Sequence, residues 1–101
     1  MGFLSFLSKK RGLDIEFVGR SGLNYYECGR SMHVECEMLF APPYHYVIYA
    51  DSVKAWNPPD TATPVTEADR MRIAENIRML AICKHTSVEI VWDSVDGSMS
   101  R

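Results

Sequence analysis

Cysteine is scarce and odd in number. Cys28, Cys36 and Cys83 show no framework spacing, which excludes a disulfide scaffold and leaves reduced thiols in a cytoplasmic protein as the expectation. No apolar run approaches the roughly 18 residues that a membrane span needs, so no stable membrane association is expected. The start, Met1 to Arg11, places Lys9, Lys10 and Arg11 after a short apolar stretch, the wrong charge order for a signal peptide. Phe at position 6 misses the myristoylation pattern. Gly19-Arg20-Ser21-Gly22 lacks the order of a phosphate-binding loop and opens no helix.

Groups for chemistry are equally thin. The three histidines, His33, His45 and His85, share no face with a serine or cysteine nucleophile. Cys28, His33 and Cys36 have the spacing C-x4-H-x2-C, but His33 and Cys36 point to opposite sides of one strand and cannot share a metal. Glu35 and Glu37 lie about 7 Å apart on one strand face, a pair that reads first as a solvated surface. Nucleic acid fits poorly, because the candidate strands carry Asp14, Glu16, Glu27, Glu35 and Glu37, which repel phosphates. The expectation is a non-enzyme with no catalytic residue, no metal and no cofactor.

What the chain does have is apolar material, 47% of its 101 residues, which suffices for a packed core and argues against disorder. One domain over residues 1–101 is expected, with a mobile arm at 1–12 and tail at 94–101. Residues 13–18 alternate, with Leu13, Ile15 and Phe17 facing one way and Asp14 and Glu16 the other. Gly19 to Gly22 is turn material, and Leu23 to Glu27 can return as a hairpin partner. Ser31 to Leu39 is the clearest strand, with Met32, Val34, Cys36 and Met38 on one face and His33, Glu35, Glu37 and Leu39 on the other. Pro42-Pro43 ends it, and Tyr44 to Ala50 forms a further aromatic, β-branched strand.

Thr66 is a good helix N-cap, with Asp69 in the capping-box position. The helix is predicted to run to about Lys84, with Ile73, Ile77, Leu80 and Ala81 as its buried stripe. Met71 and Ile82 form a second apolar line, expected to widen the core face, with an exposed contact as the alternative. Cys36 and Cys83 are expected as core thiols. Val88 to Trp92 is a last strand, with Val88, Ile90 and Trp92 on one face. The predicted fold class is α+β, an antiparallel sheet of about five strands packed on one long helix.

Charge is unevenly spread. Residues 13–69 hold nine acids and three bases, a net −6, whereas the whole chain carries −2. Acidic strands bearing tyrosines suit a basic protein partner, because tyrosine gives rigid contact area and carboxylates steer cations. The candidate interface residues are Asp14, Glu16, Tyr25, Glu27, Glu35, Glu37, Tyr49 and Asp51.

A family resemblance sharpens that reading. Asp51-Ser52-Val53-Lys54-Ala55-Trp56-Asn57-Pro58-Pro59, following Tyr49-Ala50, then Pro64 to Arg70, Ile73 and Ile77, resembles a block found in small bacterial immunity proteins. These neutralise polymorphic toxins, including those of contact-dependent growth inhibition. The resemblance covers about a quarter of the chain and leaves out residues 1–12 and 94–101. It implies a stoichiometric inhibitor whose partner is the C-terminal toxin domain of a secreted effector. Many such toxins are nucleases, often tRNases, and an acidic inhibitor can fill their basic cleft. A small adaptor for another basic partner is the alternative. Trp56 is expected to plug the helix–sheet junction rather than touch the toxin.

Overall fold

The computed structural model describes residues 12–92. The expected arm, apart from Gly12, and the expected tail therefore lie outside the described residues.

Among the described residues, five strands and one long helix follow in chain order: β1 (Asp14–Val18), β2 (Gly22–Glu27), β3 (Arg30–Met38), β4 (Tyr46–Tyr49), α1 (Glu67–Cys83) and β5 (Val88–Val91). A single 3₁₀ turn, Ala50–Ser52, follows β4. The strands lie side by side in sequence order. The first three pairings are antiparallel, with Tyr25 opposite Ile15 and Met32, and Cys36 opposite Ile48. β5 instead runs parallel to β4, with Ile48 opposite Ile90.

That last pairing departs from the wholly antiparallel sheet expected from the sequence. The cause is the connection. A helix between two neighbouring strands carries the chain back to its starting end, so the second strand runs parallel to the first. The α+β class stands, with a sheet that is mixed at one edge.

Alternation sorts the side chains into two faces. Ile15, Leu23, Tyr25, Met32, Val34, Cys36, Ile48 and Val88 share one face and form the core with Ile73, Ile77 and Ala81 of α1. The predicted helix stripe is thus the buried one, with Leu80 partly buried beside it. The sheet is strongly curled. Phe17 of β1 stacks on Tyr46 of β4 with ring centroids 4.2 Å apart, although two strands lie between them. The helix touches both edge strands, β1 and β5. A helix is only about 10 Å wide, so it reaches both edges because the sheet wraps toward it.

The helix start is built as its sequence suggests. The Asp69 amide donates to the Thr66 hydroxyl at 3.1 Å, and the Thr66 amide donates to Asp69 at 3.0 Å. Three expectations fail at the surface. Met71 and Ile82, expected in a wide core face, are 56% and 53% exposed. The curled sheet gives α1 only a narrow seat, filled by Ile73, Ala74, Ile77 and Ala81. Cys83, expected in the core, is exposed at the last helical turn. Trp92, expected on the same strand face as Val88 and Ile90, lies just past β5 and is 46% exposed.

Candidate interaction face

With one face of the sheet under the helix, the other stays open among the described residues. Its residues are fixed by register: Glu16 and Asn24 pair, as do Asn24 and His33, Tyr26 and Ser31, Glu37 and Val47, and Val47 and Glu89. Glu16, His33, Glu35, Glu37 and Glu89 are exposed there. Two adjoining shallow hollows, of about 590 Å³ and 430 Å³, share His33, Glu35 and Tyr49 in their walls. Glu37, Arg20 and Phe40 are among the other residues lining the larger, and Asp51, Ser52 and Lys54 complete the smaller.

Local structure holds these groups in place. The Tyr49 hydroxyl donates to Glu37 at 2.7 Å, and the Tyr26 hydroxyl donates to Glu16 at 3.0 Å. The bond to Glu37, with some burial, raises the Tyr49 phenol above its ordinary pKa; for Tyr26 burial is the larger cause, followed by the bond to Glu16. Both phenols therefore stay protonated donors at neutral pH. His33 lies against Gly22, where an added Cβ would stand 2.5 Å from the ring, so only glycine lets the imidazole lie there. Phe40 is 81% exposed at the rim, with the Arg20 guanidinium 5.9 Å from its ring centroid.

The segment after β4 closes the free edge of β3. Ser52 Oγ accepts from the Glu35 amide at 2.9 Å and donates to the Tyr49 carbonyl at 2.6 Å. The Asn57 amide donates to the Ser31 carbonyl at 2.8 Å, and its side chain to Ser31 Oγ at 3.1 Å. Between these anchors Val53 and Trp56 drop into the core. The Arg30 guanidinium covers the Trp56 ring at 4.1 Å. Trp56 is thus a core residue, and Asp51 stays at the wall of the smaller hollow.

Not every predicted interface residue reaches the open face. Tyr25 and Glu27 share the parity of Leu23 and are buried beneath α1. There Glu27 accepts from the Tyr25 hydroxyl at 3.0 Å, from Arg72 Nε and Nη2 at 2.9 Å each, and from Arg30 at 3.4 Å. Asn76 donates to the Tyr25 hydroxyl at 2.9 Å. Burial alone would raise the Glu27 pKa, but the bonds from Arg72 and Tyr25 and the charges of Arg72 and Arg30 outweigh it and hold it low. Asp14 is also buried, 3.4 Å from Lys84 at the end of the helix. Glu16, Glu35, Glu37, Tyr49 and Asp51 remain on or beside the open face. The −6 block is accordingly less outward than its sequence suggests, because Asp14 and Glu27 are buried in ion pairs and Asp69 is tied to Arg72 in the first helical turn.

Sequence reasoning passed over Phe40, Arg20 and Lys54 as parts of this face. Phe40 carried a usable signal, a lone aromatic just before Pro42-Pro43, where the strand has already ended. The two basic residues carried none.

The arrangement offers a partner hydrogen-bonding groups and an exposed aromatic. Ser87 and His45 approach to 3.3 Å, but the His45 Nδ1 already accepts the Ser87 amide at 2.9 Å and the Ser87 hydroxyl donates to the Pro43 carbonyl at 2.9 Å. That lone pair is committed to a turn and cannot serve as a base toward the hydroxyl. Among the described residues, no group of three or more His, Cys, Asp or Glu could hold a metal ion, and no helix is long and apolar enough to cross a membrane.

The family model for immunity protein 74 matches residues 15–91, which spans four strands, the helix and all but the first residue of β1. The chain belongs to the Immunity protein 74 family. No curated protein and no solved structure matches it. A member of this family is an immunity protein, and its partner is a toxin protein that it neutralises. Immunity proteins generally act without catalysis.

Proposed function

We propose that this immunity protein binds its toxin through the open face of the sheet, and that the toxin presents a basic surface there. The observation that carries this reading is the pair of hollows walled by Glu35, Glu37, Tyr49 and Asp51, with Glu16 beside them on the same face. Carboxylates on a face that no element among the described residues covers attract Lys and Arg over a Debye length and pair with them on contact. Tyr49 enters as a rigid donor–acceptor, and Phe40 supplies an apolar anchor at the rim. A basic cleft that normally holds nucleic acid matches such a face, so the toxin is a nuclease, with a tRNase as the leading case. The acidic face occludes its substrate cleft. The setting is a polymorphic toxin system of the contact-dependent kind.

The test is a double charge reversal, Glu35→Lys with Glu37→Lys, assayed against the toxin domain encoded next to this reading frame. The thermal melt stays put, because both side chains are exposed, while the association rate falls at least tenfold at low salt. Unchanged affinity at low salt would remove the acidic face from the interface. The nuclease reading is checked separately. Stoichiometric wild-type protein should stop tRNA cleavage, and excess tRNA should slow complex formation.

A further inference from the structure

The outer face of α1 carries a pattern that the toxin-binding face does not account for. Met71, Glu75, Arg78 and Ile82 are spaced four, three and four residues apart. At about 100° per residue they fall within an arc of about 60°, a single seam along the helix. Met71 and Ile82 are more than half exposed, and Met79, 52% exposed, lies beside the seam. Glu75 and Arg78 pair with each other along it, with Arg78 Nε 3.1 Å from Glu75 Oε1. Spacings of four and three are those of a helix-pairing seam, in which successive layers face a partner helix.

The seam is also self-complementary. Reversed end to end, it places Met71 against Ile82 and Glu75 against Arg78. A second copy laid antiparallel, related by a two-fold axis between Asn76 and Ile77, therefore meets apolar with apolar at both ends and acid with base at both central layers. A parallel copy would set Glu75 on Glu75 and Arg78 on Arg78. We infer that the outer face of α1 is a self-association surface, where two copies pair antiparallel through Met71, Glu75, Arg78 and Ile82. Such a contact is isologous and closes as a dimer. Four layers bury well under the roughly 1,200 Å² of a stable interface, so the dimer is weak.

Charge swapping tests this on the whole chain by sedimentation equilibrium, from roughly 20 μM to roughly 2 mM, the range in which weak complexes form. Wild type should rise from one chain toward two. Glu75→Arg alone and Arg78→Glu alone should each lose self-association at least tenfold, since each places like charges across both central layers. An equimolar mixture of the two single variants should regain it, as should the double variant Glu75→Arg with Arg78→Glu. These side chains are exposed, and circular dichroism melts confirm that each variant folds. A wild type that stays monomeric throughout, or single variants that do not recover on mixing, would overturn the inference. Loss of toxin affinity on Met71→Glu or Ile82→Glu with no change in mass would assign the seam to the toxin instead and equally overturn it.

Discussion

Glu27 shows how much a single residue depends on its strand parity. By charge it belongs to an acidic surface; by alternation with Leu23 it belongs to the core, and alternation wins because the β2 register leaves it no choice. The residue is 6% exposed, and its carboxylate is tied to Arg72, Tyr25 and Arg30. Glu27→Ala leaves the Tyr25 hydroxyl and part of Arg72 without their acceptor, and should cost about 2–4 kcal/mol in urea unfolding. The pH effect has a definite sign. The folded carboxyl titrates below its ordinary 4.5, so its stabilisation is complete above that pH and is lost as pH falls through the folded value. Asp69 acts alike, its pKa pulled from 3.8 to about 2 by the Thr66 amide and then by Arg72. Stability should therefore drop between about pH 5 and pH 2, and Glu27→Gln should flatten the upper part of that drop. The thiols give a second check at this scale. Cys28 and Cys83 are exposed, whereas burial pushes the Cys36 thiol up to about 11. In native protein a thiol reagent should modify Cys28 and Cys83 promptly, and Cys36 only on unfolding.

At the scale of elements, the stretch from Ala50 to Asn57 behaves as a strap along β3. Its amide and hydroxyl contacts occupy edge groups that would otherwise offer a template to another strand. Trp56→Ala removes the strap's largest buried side chain and should cost about 3–5 kcal/mol. Ser52→Ala strips the Glu35 amide of its acceptor and should cost about 1–2 kcal/mol, measured in the same urea titration. The Asp-Ser-Val-x-x-Trp spacing is thus legible as a resemblance, while its physical reason appears only once β3 has a free edge. Other elements were readable outright. The Thr66–Asp69 capping box and the alternation of β3 depend on neighbours within a few residues, and both stand as predicted. What could not be read depends on the global shape. The parallel seating of β5 follows from the helical crossover, the exposure of Met71 and Ile82 follows from the curl of the sheet, and the open face exists because, among the described residues, the helix covers only one side. Of the eight candidate interface residues, Glu16 on β1, Glu35 and Glu37 on β3, Tyr49 at the end of β4 and Asp51 just beyond it lie on or beside that face, the four strand residues because of their parity. Tyr25 and Glu27 were misplaced when charge and aromaticity were weighed above parity.

At the scale of the whole molecule, the two proposed surfaces lie on separate layers. The open sheet face is one outer surface of the domain, and the Met71–Ile82 seam belongs to the helix packed on the opposite side of that sheet. Groups that share neither neighbours nor a hydrogen-bond network contribute additively. Self-association should then neither compete with toxin binding nor require it. Light scattering on the mixture should show one toxin per immunity chain when dilute and, at high concentration, a species with two of each. Glu75→Arg should abolish the larger species and leave the one-to-one complex with unchanged affinity. Added salt should weaken the one-to-one complex most, because its contacts are exposed charges, whereas the seam retains its two apolar layers. A toxin that instead dispersed the dimer would place both events on one surface. The two-layer division of labour would then fail, even if each contact were real.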